Sequence, residues 1–93
     1  MILKWLPRAI NDRDALLDYI AIDSVDAAIE QGDQVDAQVE NLLDHPKMGR
    51  PGRKRGTREL VINRTSFIAV YKVDEEKELI QILRLLHGAQ QWP

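Results

Sequence analysis

The last third of the chain, Thr57 to Pro93, constrains the fold more than any other stretch. It reads TRELVI, FIAVYKV and ELIQILRLLHGAQQWP, three strand-like runs joined by connections short enough for hairpins. Two of them are apolar at nearly every position. A strand with one wet face alternates apolar and polar residues, whereas a continuous apolar run marks a strand covered on both faces. Arg58–Ile62, Phe67–Val73 and Glu78–Leu86 are the expected strands, with turns at Asn63–Ser66 and Asp74–Lys77. Alternation puts Phe67, Ala69, Tyr71 and Val73 on one face. In the last strand it groups Leu79, Leu83, Leu85 and His87 opposite Ile80, Ile82, Arg84 and Leu86. Ninety-three residues support one domain, 1–93, with a single core and no room for a second.

The upstream half supplies the cover. Met1–Leu6 reads as a short strand, and Pro7 stops it and suits the first turn of a helix. From Arg8 to Ile22, Ile10, Leu16, Leu17 and Ile20, with Ala9 and Tyr19, recur at helical spacing, while Asp12, Asp14 and Asp18 fall largely on the opposite side. Asp23–Ser24 breaks the pattern, and either side chain can cap a second helix from Val25 to about Asp44. Its inner stripe is Val25, Ala28, Ile29, Gly32, Val35, Val39, Leu42 and Leu43. Gly32 costs roughly 1 kcal/mol relative to alanine in a helix interior, so either the helices approach closely there or the helix bends. His45–Pro46 ends it. The expected fold is α+β in the order β-α-α-β-β-β, an antiparallel sheet with an N-terminal helical hairpin packed on one face.

Composition places the chain among ordinary globular domains, with 44% hydrophobic and 30% charged residues. It has no cysteine, which excludes disulfides and thiolate metal sites and is compatible with a reducing cytosol. No apolar run approaches the roughly 20 residues needed to cross a bilayer, and MILKWLPR has no signal-peptide cleavage pattern. A cytoplasmic protein with no membrane partner is the expectation. The net charge of −2 hides a strong asymmetry. Residues 8–46 carry ten acids and two bases, a balance of −8, and residues 47–73 carry eight bases against Glu59 alone, a balance of +7. Such separation implies an anionic partner for one surface, mutual neutralisation of the two halves, or both. The acidic row Asp26, Glu30, Asp33, Asp36 and Glu40 is a solvated helix face or a surface that avoids nucleic acid.

The segment HPKMGRPGRKRGT, residues 45–57, is the one loop with strong turn chemistry, since Gly49, Pro51, Gly52 and Gly56 forbid regular structure. Its bases make it a solvated connector, a phosphate-holding loop, or a segment that orders in a complex. It holds no aromatic residue to stack a base. His45 and His87 lack a third ligand at metal spacing, and no nucleotide-binding glycine motif is present, so neither a metal nor a cofactor is expected. The polar residues near strand ends are Arg58, Glu59, Arg64, Arg84 and His87. Arg84 lies among leucines and needs a partner, such as Glu59, or a route to solvent. His87 is a strand-end cap or a general acid or base. Trp92 anchors the tail or serves an interface.

HPKMGRPG followed by GTRELVI, then FIAVYKV, then ILRLLHGAQQWP resembles the RelE/ParE superfamily of toxins from type II toxin–antitoxin modules, over nearly all of the chain. The resemblance implies a compact toxin with a cognate antitoxin that wraps the helical hairpin and the sheet. It implies one of two activities, ribosome-dependent cleavage of mRNA or inhibition of DNA gyrase by binding. Many RelE-like nucleases carry an arginine within the third strand and a tyrosine near the C-terminus. Here Ile68 stands at the first position and nothing after His87 matches the second, and losing such a guanidinium would cost a nuclease dearly. The resemblance is therefore closer to the ParE branch. It implies a target-binding surface of Arg53, Lys54, Arg55, Arg58, Arg64, Arg84, His87 and Trp92. For the nuclease alternative, acting on the ribosome with mRNA, Arg58, Glu59, Arg84 and His87 would be catalytic. An apolar groove at Leu16, Tyr19 and Ile20 is expected to take the antitoxin by helix docking or strand addition.

Overall fold

A computed structural model describes residues 1–88 and 90–93. Strand β1 (Ile2–Trp5) leads into helix α1 (Pro7–Asp23) and helix α2 (Val25–Glu40), followed by a 3₁₀ turn at Asn41–Leu43. Strands β2 (Arg50–Pro51), β3 (Arg58–Val61), β4 (Phe67–Asp74) and β5 (Leu79–His87) complete the chain. The sheet order is β1-β5-β4-β3-β2. The domain is α+β, as expected, with the helical pair covering one face of the sheet.

Local signals explain the helices. Pro7 sits in the first turn of α1, where its missing N–H costs nothing. Ser24 caps α2, its hydroxyl accepting the Ala27 N–H at 3.1 Å. Gly32 reflects close approach of the two helices: a Cβ there would lie 3.2 Å from Leu17 Cδ1 and 3.3 Å from Arg13 Nη2. Arg13 then clasps Asp36 across the hairpin with two hydrogen bonds.

Four features depart from the sequence expectation. First, β1 pairs parallel to β5, so the sheet is mixed at that edge; strand order is set by how the helices cross back, which periodicity does not encode. Second, two residues of the basic loop form β2, antiparallel to β3. Third, α2 stops at Glu40 and tightens into the 3₁₀ turn, which still buries Leu42 completely. The inner stripe is Ala28, Gly32, Val35 and Val39, whereas Val25 and Ile29 are 61% and 58% exposed on its flank.

Fourth, β5 carries a bulge. Val70 pairs with Arg84 and Tyr71 with Ile82, leaving Leu83 unpaired. An extra residue reverses the alternation beyond it. Ile80 and Ile82 therefore share the helix-facing side with Leu85, where alternation alone separates them. They join Ala9, Val35, Val39, Leu42, Leu60, Phe67, Ala69 and Tyr71 in one core. Ile68, Val70 and Leu86 are buried on the opposite side of the sheet.

Candidate functional site

The basic loop is built around two buried side chains of opposite character. Tyr71 projects from β4 on the helix side and its hydroxyl accepts the Gly49 N–H at 2.9 Å while donating to the Pro46 carbonyl at 2.7 Å. A Cβ on Gly49 would lie 2.7 Å from that hydroxyl, so the approach requires glycine. Burial pushes the Tyr71 hydroxyl above the usual tyrosine pKa, outweighing the Gly49 N–H and the nearby Arg58 charge, which pull it down. Arg58, half-buried, donates to the carbonyls of Lys47 at 3.3 Å and Gly49 at 2.8 Å. These bonds pin the start of the loop to the sheet.

Glu59 pins the rest. Its side chain is 1% exposed, yet it receives Arg50 Nη2 and Arg53 Nε at 3.1 Å each and the Arg53 backbone N–H at 2.9 Å. Burial alone would raise its pKa. The Arg53 backbone and side-chain donors and the Arg50 guanidinium more than offset this and hold it below the usual glutamate value. One carboxylate thus draws two arginines over the sheet face away from the helices. Arg53 Nη1 also meets the Gln90 carbonyl of the C-terminal tail at 3.4 Å.

At the other edge of that face, β1 ends opposite Ile82, which leaves the outer edge of β5 without a strand from Leu83 onward. Asp12 of α1 takes its place. Its Oδ2 accepts the Leu85 N–H at 3.0 Å and Arg84 Nε at 2.7 Å, and its Oδ1 accepts Arg84 Nη2 at 3.2 Å. The guanidinium carbon stands 5.6 Å from the centroid of the Trp92 ring. Arg84 is therefore ion-paired with Asp12 and not with Glu59, whose charge the loop arginines satisfy.

A groove of about 200 Å³ opens where α1 crosses the start of β4, lined by Leu16, Tyr19, Ile20, Gln31, Ser66, Phe67 and His87. The three residues expected to take a partner do line one concavity, and His87 shares it. A second groove, about 390 Å³, runs along the outer side of the hairpin past Leu17, Ala21, Val25 and Ile29, with Asp18 and Asp33 beside it.

The expected target-binding residues do not form one patch. Arg53, Lys54 and Arg55 lie in the β2–β3 loop, beside the end of β4, whereas Arg64 occupies the β3–β4 turn at its start, with φ of 65°. An eight-residue strand, roughly 25 Å long, separates those ends. Register aligns Glu59, Val70 and Arg84 in one row across the sheet but turns Arg58 to the other face with Tyr71. Lys54, Arg55 and Arg64 are exposed and make no ion pair among the described residues. No group of three metal-ligating side chains occurs among the described residues, and no helix there is long and apolar enough to cross a membrane.

Sequence reasoning missed Asp12, Arg50 and Tyr71 as organising residues. For Asp12 a signal existed: it falls four and eight residues before Leu16 and Ile20, on the inner flank of α1. A charge on an inner flank and an arginine within a leucine run are two misfits that can satisfy each other.

The family model described as the ParE toxin of type II toxin–antitoxin systems, parDE, matches residues 3–92. Y4kP, a candidate toxin of Sinorhizobium fredii, is 35% identical over 91 residues, covering 98% of this chain and 92% of Y4kP. A chain of the chromosomal ParDE system from P. aeruginosa superposes with a TM-score of 0.81 at 32% identity, covering 94% of this chain and 95% of that one. A chain of the toxin–antitoxin complex RelBE2 from Mycobacterium tuberculosis gives a TM-score of 0.58 at 23% identity over 96% of this chain and 92% of its own, which is a likeness of fold.

Proposed function

Because this chain belongs to the ParE toxin family of type II toxin–antitoxin systems, we propose that it inhibits DNA gyrase by binding it, in the cytoplasm, and is neutralised by a cognate antitoxin. The observation that carries the reading is that the groups a nuclease would need are already committed elsewhere. Glu59 is spent on Arg50 and Arg53, and Arg84 on Asp12. Arg58 faces the other side of the sheet, and His87 lies in the apolar groove. A general acid–base pair must lie within hydrogen-bond reach of one reacting centre. Of the expected target-binding residues, Lys54 and Arg55 remain available to a partner in the loop, with Arg53 and the C-terminal tail near them, and Arg64 remains available at the opposite end of β4. The antitoxin half of the proposal draws on the groove at Leu16, Tyr19 and Ile20, and on the toxin–antitoxin systems to which the P. aeruginosa and M. tuberculosis chains belong.

The test is purified gyrase with relaxed plasmid. Loss of supercoiling and accumulation of cleaved plasmid, both reversed by the antitoxin, are expected. Unaffected gyrase would overturn the reading. Codon-spaced mRNA cuts in a translation extract, abolished by His87→Ala, would move the activity to the ribosome.

A further inference from the structure

The C-terminal tail crosses the sheet face that the basic loop borders, and beyond Gly88, whose N–H donates to the Ser66 carbonyl at 2.6 Å, its polar attachments among the described residues fall into two groups. One acts on Gln90: its N–H donates to the His87 carbonyl at 2.9 Å, its Oε1 accepts the His87 N–H at 3.3 Å, and its carbonyl accepts Arg53 Nη1 at 3.4 Å. The other acts on Trp92, whose ring lies under the Arg84 guanidinium. The indole Nε1 is buried and makes no hydrogen bond among the described residues, so the ring is not tethered through its own polar atom. Its position depends on what lies against its face.

The orientation of Arg84 is in turn not its own. A free arginine side chain samples many rotamers, but two hydrogen bonds donated by its Nε–Nη2 edge to one carboxylate fix the plane of the guanidinium. The Asp12 carboxylate is fixed too, because Oδ2 simultaneously accepts the Leu85 N–H of β5. With both side chains mostly buried, 12% exposed for Arg84 and 17% for Asp12, an Arg84 deprived of its partner would turn toward water and leave the ring. A cation 5.6 Å from a ring centroid is within the range of attraction, and that attraction is lost when the cation moves away.

We infer that Asp12 is a positioning residue for the C-terminal tail: through Arg84 it holds the Trp92 indole in place on the sheet. Helix α1 thereby sets the shape of a surface it does not itself cover. The value of that surface for target binding rests on the reading above; the docking of the tail does not.

The experiment uses the full chain. The sequence contains two tryptophans, Trp5 and Trp92, so Trp5→Phe makes Trp92 the sole indole, and Trp92→Phe leaves Trp5 as a reporter on the sheet. In the Trp92-only protein, Asp12→Asn keeps an oxygen for the Leu85 N–H but removes the charge that orients Arg84. Arg84→Gln keeps a polar side chain without the cationic face. Both are expected to at least double the acrylamide quenching constant of Trp92 and to red-shift its emission, while Trp5 quenching in the Trp92→Phe background stays unchanged. Asp12→Glu is expected to restore part of the protection. Trp92 quenching that stays at the parent value in Asp12→Asn and Arg84→Gln would overturn the inference, leaving Asp12 as a tie between α1 and β5 alone. A rise in Trp5 quenching equal to that of Trp92 would overturn it equally, since general loosening would then explain both. Because the readout needs no gyrase, failure of the gyrase assay and failure of this inference are separate results.

Discussion

Glu59→Gln isolates the charge that gathers the basic loop. The substitution keeps the shape of the side chain and one carbonyl oxygen, so the Arg53 N–H keeps an acceptor. It removes the negative charge facing Arg50 and Arg53 and puts an NH₂ group against cationic donors. A hydrogen bond to a charged group contributes about 1.5–3 kcal/mol. Arg50 and Arg53 are 57% and 40% exposed, so water screens much of their share. A net loss of about 2 kcal/mol is expected, which for a domain of this size lowers Tm by roughly 8–16 °C. The pH dependence is the sharper test. The pKa of Glu59 is depressed in the folded state, so its stabilisation is complete above the ordinary value of 4.5 and disappears as pH falls through the folded-state value. At neutral pH the two proteins should therefore differ, and below pH 4.5 the difference should shrink as protonation makes the native side chain resemble glutamine. Thermal melts by circular dichroism at pH 7, 5, 4 and 3 measure this. A difference that stays constant down to pH 3, or is under about 2 °C at pH 7, would refute the assignment of Glu59 as the charged centre of the loop.

Tyr71→Phe should cost about 1–3 kcal/mol, because the Gly49 N–H and the Pro46 carbonyl would stay buried without their partner. The raised pKa of Tyr71 predicts that one of the two tyrosines titrates late in an absorbance titration at 295 nm, and that stability is lost as pH rises past the ordinary value of 10. Tyr19→Ala should change the Tm of the free protein by little, since the side chain is 75% exposed. The same change should weaken antitoxin binding at least tenfold by calorimetric titration, about 1.4 kcal/mol; unchanged affinity would remove Tyr19 from the interface.

The order of elements was legible because each carries a local signal: Pro7 before the first helix, Ser24 between the helices, Pro46 after the second, and apolar runs for β4 and β5. The bulge was not. In ILRLL both faces of the strand are covered, and its one polar residue, Arg84, is ion-paired with Asp12 rather than left on a wet face, so the leucines beside it do not reveal which side each faces and an extra residue leaves no trace in the pattern. The Asp12–Arg84 pair was hidden for a different reason. Its partners lie 72 residues apart and meet because β1 is four residues long and leaves the edge of β5 open. Strand length, not charge spacing, makes that contact.

The charge asymmetry, open to two readings in the sequence, divides unevenly in the fold. Of the eight bases in residues 47–73, Lys47 pairs with Glu75, Arg50 and Arg53 share Glu59, and Arg58 is turned inward to carbonyls. The helical hairpin keeps most of its acids unpaired among the described residues, where only Asp12 and Asp36 are engaged. Its exposed apolar residues Tyr19, Ile22, Val25 and Ile29 stand among those acids. Half of the positive set is thus engaged while Lys54, Arg55, Arg64 and Lys72 stay exposed without an ion pair among the described residues, and most of the negative half remains on the surface. A partner that covers the hairpin gains by carrying lysine or arginine around an apolar centre, and its association should slow as salt screens the acids. A partner for Lys54, Arg55 and the tail meets a smaller charge on a surface tied down by the Glu59 and Asp12 ion pairs. There, shape set by Glu59 and Asp12 counts for more than the sum of the cations.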